Sequence, residues 1–202
     1  MTPWRMRILA FVDVHGSKAA LKKLREKAQK ADLLICAGDV SIFEHGMSAI
    51  VEELDRFGKP LLIVHGNHES ESSLRKACKG SKNILWLHDQ LVLVENFAFF
   101  GHGGGGFSLE DKEFEASAKV WLGKIPSGKK FVFVTHAPAH KTALDALADD
   151  HVGNKSYREF ILATKPLVHI CGHLHENAGK HDQIGKTLSI NPGPLGKFIR
   201  VN

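Results

Sequence analysis

No run of apolar residues in this chain approaches the ~20 that a membrane-spanning helix needs. The N-terminal segment carries only Ile8 to Val12 before Asp13 interrupts it, too short for the apolar core of a secretory signal. Cysteine is scarce: Cys36, Cys78 and Cys171 make no CxxC pair, and Cys36 and Cys171 end apolar runs as buried thiols do. These absences predict a soluble protein of the reducing cytoplasm. There is no GxSxG nucleophile elbow, so the esterase-like His102-Gly-Gly-Gly does not make an acyl hydrolase. The same glycine run lacks a following Lys-Ser/Thr and is no P-loop, and a flexible tether is expected there. Internal repeats, low-complexity segments and linkers are also missing.

What is present is ordinary for a globular chain. At 202 residues, 43% hydrophobic and 24% charged, it can bury one sizeable core, and a single domain over 1–202 is expected. A net charge of +5 and a pI near 9.1 favour anionic partners. Lysines are scattered through many segments, so a nucleic-acid patch is not indicated. Apolar runs and amphipathic stripes alternate through the first third. Ile8 to Val12 reads as a strand, Ser17 as the cap of a helix carrying Leu21, Leu24 and Ala28, and Asp32 to Ala37 as a second strand. A helix over 45–57, with Met47, Ile50, Val51, Leu54 and Phe57 on one stripe, precedes a third strand opened by Pro60. Alternation of this kind predicts a mostly parallel sheet.

Beyond a short helix near 72–79 the spacing tightens. Ile84 to Leu87, Leu91 to Glu95 and Phe97 to Phe100 read as strands of a second sheet with antiparallel pairs. A helix over 110–122 follows, then a strand over 131–134. A helix opens with a capping box of Ser156 and Glu159, and a fifth polar-ended strand spans 167–171. Thr187 to Ile190 and Phe198 to Val201 are expected to close the second sheet. The intervening stretch 139–153, with His140, Asp145 and His151, is expected to be solvated surface.

Five apolar runs end in residues that bind metals: Asp13 and His15, Asp39, Asn67 and His68, His136, and His173 and His175. Singly each has a bland explanation, such as Asp13 or Asp39 capping a helix, His136 in a turn, or His173 and His175 on opposite faces of a strand. Open sheets bind ligands at the carboxyl ends of their strands, and five coincidences at such ends are hard to attribute to turns. Carboxylates, imidazoles and an amide suit a borderline divalent ion, manganese first, with iron, zinc, nickel or cobalt as alternatives. Seven candidates besides His68 exceed one ion's needs, and two ions ~3.5 to 4 Å apart account for them. A water held between such ions ionises nearer pH ~7 than ~15.7, which makes hydroxide available near neutral pH.

The order Asp13-Val14-His15, Gly38-Asp39, Gly66-Asn67-His68-Glu69, His136 and Gly172-His173-Leu174-His175 resembles the calcineurin-like metallophosphoesterase family, with its DxH, GD, GNH(D/E), H and GHxH motifs. The likeness extends from Asp13 to His175, and Asn191-Pro-Gly looks like the small, cap-free prokaryotic phosphodiesterase branch. It implies a four-layer α/β/β/α sandwich with two mixed sheets. It also implies that Asp13, His15 and His175 hold one metal, that Asn67, His136 and His173 hold the other, that Asp39 bridges them, and that His68 is the non-ligand general acid. Val12 replaces the Ser or Thr often found there, and Gly-Asp-Val-Ser at 38–41 lacks the longer acidic signature of phosphoprotein phosphatases. A phosphodiester or a small phosphorylated compound is therefore expected over a protein substrate. A nuclease of the same family and a non-catalytic scaffold on the same fold are the alternatives. Glu69 is expected to be solvated.

Overall fold

Along β1 (Met6–Phe11) the side chains alternate: Ile8, Ala10 and, just beyond, Val12 enter one apolar cluster, while Leu9 and Phe11 enter another. That period of two places the strand in a layer covered on both faces. β2 (Leu33–Cys36), β3 (Leu61–Ile63) and β4 (Ile84–Trp86) lie parallel to it in the order β1-β2-β3-β4. The helices α1 (Lys18–Ala28), α2 (Met47–Asp55) and α3 (Glu71–Cys78) cover the outer face through Leu21, Leu24, Ile50, Val51, Leu54 and Leu74. Ser17 caps α1, accepting from the Ala20 N–H at 3.3 Å. The structure, a computed structural model, describes residues 6–202. The first five positions of the expected 1–202 domain, and the start of the segment weighed as a signal peptide, lie outside the described residues.

The second sheet runs β11-β12-β10-β7-β6-β5. Its members are β5 (Gln90–Val94), β6 (Phe97–His102), β7 (Lys130–Thr135), β10 (Val168–Ile170), β11 (His181–Ile184) and β12 (Thr187–Ile190). The four central strands are parallel, and β5 and β11 pair antiparallel at the edges. α4 (Lys112–Leu122) and α5 (Lys155–Thr164) cover its outer face with Phe114, Ala118, Tyr157, Phe160 and Ile161 against Phe100 and Phe133. The inner faces meet through Ile35, Leu62 and Val64 on one side and Phe99, Val132 and Ile170 on the other. The result is a four-layer α/β/β/α sandwich of two mixed sheets. Among the described residues no helix is long and apolar enough to cross a membrane.

Several local expectations are corrected. Ile84–Trp86 joins the first sheet, parallel to β3, because the α3 crossover returns the chain beside it. β13 (Lys197–Val201) also belongs to the first sheet, antiparallel to β1, and not to the second. Strand character alone does not say which of two stacked sheets has a free edge. The cap of α5 is Asn154, whose side chain accepts from the Tyr157 N–H at 3.1 Å; Ser156 instead bonds Glu115. The 139–153 stretch contains a small hairpin, β8 (Ala146–Leu147) with β9 (Asp150–His151). It is organised around a fully buried Asp145 that accepts from the N–H groups of Lys141, Thr142 and Gly153 and from His151 Nδ1.

Candidate metal centre

Three strands of the first sheet and two of the second deliver their C-terminal loops to one edge of the sandwich, so the cluster lies between two sheets and not along the rim of one. Asp13 and His15 follow β1, Asp39 follows β2, Asn67 and His68 follow β3, His136 follows β7, and His173 and His175 follow β10. Two contacts stitch the halves together: the His136 Nδ1–H donates to the Ala37 carbonyl at 2.9 Å, and the His173 N–H reaches Asp13 Oδ1 at 3.4 Å.

Two groupings emerge from the distances. Ligand atoms of Asp13, His15 and His175 lie within 4.8 Å of one another, as do those of Asp13, Asp39 and His136. Asn67 Oδ1 stands 2.8 Å from His136 Nε2 and 2.7 Å from His173 Nδ1. Asp39 lies between the groups, its Oδ2 3.7 Å from His15 Nε2 and 3.5 Å from His136 Nε2, while its Oδ1 accepts the His68 N–H at 2.9 Å. The grouping of His15, Asp39 and His68 within the same 4.8 Å also sets the ring of His68 beside the candidate ligands.

The donor set fits divalent ions. His136 and His15 each give Nδ1 to a carbonyl, of Ala37 and Ser41, which leaves the Nε2 lone pairs facing inward. These lone pairs then face other acceptors, Asn67 Oδ1 and His175 Nε2 at 3.0 Å, and Asp13 Oδ2 is buried with no hydrogen-bond partner. Buried acceptors arranged against one another are costly unless a proton or a cation sits among them.

Electrostatics point the same way. Burial pushes the Asp13 carboxyl up, opposed by His136 and reinforced by Asp39. Burial also works against ionised Asp39, but hydrogen bonding and charge from His136 hold it well below the usual carboxylate range. His136, disfavoured as a cation by burial, is held up by Asp39 in return, so a proton on its Nε2 stands among these acceptors unless a cation displaces it. Burial, together with neighbouring His136, brings His173 down to about 4, so its ring is neutral near pH 7.

The backbone is strained where these groups project. Asp13, His15, Asp39 and His173 have φ of 56°, 47°, 52° and 70°, a left-handed conformation that costs an L-residue ~1–2 kcal/mol. The loops after β2 and β3 approach so closely that a Cβ on Gly66 would stand 1.9 Å from Asp39 Oδ1, and one on Gly38 2.6 Å from the Gly66 nitrogen. The glycines preceding Asp39 and Asn67 are thus steric requirements of the crossing.

Glu69 is buried, contrary to the solvated residue expected, and it does not orient His68. Its carboxylate accepts the N–H groups of Asp39 (3.2 Å), Ser41 (2.8 Å) and Gly66 (3.0 Å) and the Ser41 hydroxyl (3.2 Å), pinning the β2 loop to the β3 loop. A carboxylate directly after the Asn67-His68 pair was the sequence signal for it.

The glycine run is packed, not a tether. The Gly104 N–H donates to the His65 carbonyl at 3.0 Å, and a Cβ on Gly103 would meet His65 Nδ1 at 2.4 Å. At its root, His102 is clamped between Asp89 (Nδ1 to Oδ1, 2.7 Å) and Asp111 (Nε2 to Oδ2, 3.1 Å), an arrangement absent from the sequence reading. Burial opposes its charge, but the two carboxylates raise its pKa to about 9, while Asp111, against the effect of burial, falls to about 2. A folded pKa above the unfolded value near 6.5 means the stabilisation is complete below pH ~6.5 and is lost as pH climbs through about 9. Asp111 sets the acid limit, its share being lost as pH falls from ~3.8 through about 2. Urea unfolding of wild type and His102→Gln should therefore differ by at most ~3 kcal/mol at pH 6 and converge toward pH 9.5. A difference independent of pH between 6 and 9.5 would count against the ion triad.

The sequence model of the calcineurin-like phosphoesterases matches residues 6–177. An uncharacterised protein of Methanocaldococcus jannaschii, MJ1162, is 30% identical over 205 residues, covering 96% of this chain and 91% of its own. Among solved structures, TT1561 of Thermus thermophilus superposes with a TM-score of 0.77 at 18% identity, covering 98% of this chain and 99% of that one. A dimetal phosphatase from Danio rerio superposes with a TM-score of 0.61 at 15% identity, covering 96% and 91%. At these identities the two structures speak for the fold.

Proposed function

Because the chain belongs to the calcineurin-like phosphoesterase family, whose members hydrolyse phosphoesters with the help of metal ions, we propose that it is a dinuclear phosphoesterase acting on phosphodiesters or small phosphorylated compounds. Residues 6–202 would work as one domain. The observation that carries the reading is the placement of Asp39 Oδ2 between His15 and His136, with Asp13, His175, Asn67 and His173 around them. Asp13, His15 and His175 would hold one divalent ion and Asn67, His136 and His173 the other, with Asp39 shared. Bound there, the ions supply Lewis acidity toward the phosphoryl oxygens and make hydroxide available near neutral pH for in-line attack.

The remaining work falls to the protein. The carbonyls of Ala37 and Ser41 lock His136 and His15 in the tautomer that points Nε2 inward. Glu69 keeps the Asp39 and Asn67 loops in register. His68 has a buried Nδ1 and would hold its mobile proton on Nε2, for delivery to the departing ester oxygen. Loops such as 101–109, whose Phe107 ring stands 4.6 Å from that of His173, and 137–153 would choose the substrate, which favours small esters over a folded protein substrate.

Purified protein stripped by chelation and reloaded with Mn²⁺ is expected to bind two ions per chain and to hydrolyse a chromogenic diester only when loaded. A screen of phosphomonoesters, diesters and cyclic nucleotides would then rank the substrates. Binding of fewer than two ions, or hydrolysis that survives chelation, would contradict the proposal.

A further inference from the structure

Phe43 and Phe107 are more exposed, at 69% and 59%, than any other large apolar side chain among the described residues, and both stand at the candidate metal centre. The Phe43 ring lies 4.6 Å from that of His68, and the Phe107 ring lies edge-on, 4.6 Å from that of His173. Phe43 stands on the first-sheet loop after β2, and Phe107 on the second-sheet loop after β6.

Neither exposure is a by-product of a loose loop. Phe43 and Glu44 have φ of 46° and 65°, and the His45 N–H closes onto the Ile42 carbonyl at 3.0 Å. Left-handed values at both central positions are those of a type I′ turn, normally built from Asn and Gly, and a bulky Phe there is a conformational outlier. The turn is moored by the Glu44 carboxylate, which accepts the Ser70 N–H at 3.0 Å and the Ser70 hydroxyl at 2.8 Å. Phe107 is likewise held on a braced segment: Gly104 is bonded to His65, the Ser108 carbonyl accepts from Asn154 Nδ2, and the Leu109 carbonyl accepts from the Lys155 N–H. Strain and anchoring are thus invested in holding two aromatic faces in water beside the reacting groups, where burial returns nothing.

We infer that Phe43 and Phe107 are substrate platforms, each stacking a flat aromatic arm of the phosphoester, with the leaving arm on Phe43 and the retained arm on Phe107. The assignment of arms follows from His68: the oxygen it would protonate belongs to the departing group, and Phe43 is the aromatic ring packed on His68. Stacking between rings is worth more than apolar contact alone, so alkyl arms lose most on these surfaces. This inference rests on the phosphoesterase reading of the site and names the substrate class within it.

Phenyl p-nitrophenyl phosphate and ethyl p-nitrophenyl phosphate share a leaving group and differ in the retained arm. With the Mn²⁺-loaded protein, Phe107→Ala should lower the phenyl-to-ethyl ratio of kcat/KM by ~5- to 10-fold, chiefly through KM, and Phe107→Tyr should restore it. Phe43→Ala should raise KM for both esters by a similar factor, and Phe43→Trp should reverse that rise. The dinucleoside monophosphate ApA, run alongside, identifies the source of the arms: the same Phe107→Ala penalty assigns nucleobases, and a penalty confined to aryl esters assigns other flat groups. An unchanged ratio in Phe107→Ala with an unchanged KM in Phe43→Ala, in an active enzyme, overturns the platforms alone. A wild type that binds Mn²⁺ and hydrolyses no ester removes the phosphoesterase reading, and the inference with it.

Discussion

Asp39→Asn is expected to weaken both metal sites together, by at least ~10²-fold in affinity, and to remove most of the turnover. The variant is nearly isosteric, and its side-chain oxygen can still accept the His68 N–H that Asp39 Oδ1 accepts at 2.9 Å. What it loses is the charge of the carboxylate whose second oxygen faces His15 at 3.7 Å and His136 at 3.5 Å. Those two histidines stand on loops of different sheets, so one carboxylate would serve both halves of the candidate centre. A ligand of a single ion would, on replacement, leave the other ion in place. Metal content by mass spectrometry after dialysis, with titration calorimetry of Mn²⁺ into the stripped variant, reads this directly. Full two-ion occupancy with wild-type turnover would rule out a shared Asp39; loss of one ion alone would assign it to one site.

The second large effect is expected at His68. His68→Ala should lower turnover of a chromogenic phosphodiester by at least ~10²-fold while both ions stay bound. The geometry permits two roles, because the His68 ring is grouped with His15 and Asp39 within 4.8 Å and could serve as a ligand. Metal retention separates them, since an acid leaves the ion count untouched and a ligand does not. Leaving-group dependence gives an independent check. A p-nitrophenolate departs with less help from a proton than an alkoxide needs, so the penalty of His68→Ala should grow beyond that floor as the leaving-group pKa rises. A penalty independent of the leaving group, or a variant holding one ion, would sink the role as acid.

Glu69 and Asp145 show where local reading stops. Both are charged residues in polar surroundings and read as solvated. In the fold each is buried because several backbone N–H groups converge on its carboxylate. Those donors come from loops distant in sequence or from a turn with no regular period, and no pattern of hydrophobicity records them. The sheet assignment of Ile84–Trp86 and Lys197–Val201 failed for a related reason. Each segment announces itself as a strand, but membership is decided by which edge lies open when the chain returns.

The residue types at the five strand ends, their order, and the apolar runs that hold them were all readable in one dimension. Strand alternation and loop position are local properties, and the spacing of ligand-type residues after each run survives any change of tertiary detail. Only the folded chain decided that the five ends belong to two sheets, that Asp39 stands between His15 and His136, and that Phe43 and Phe107 face water beside them. Those are distances between groups far apart along the polypeptide. They are fixed by the packing of the two inner sheet faces and by strained, glycine-flanked loops, neither of which leaves a periodic trace in the sequence.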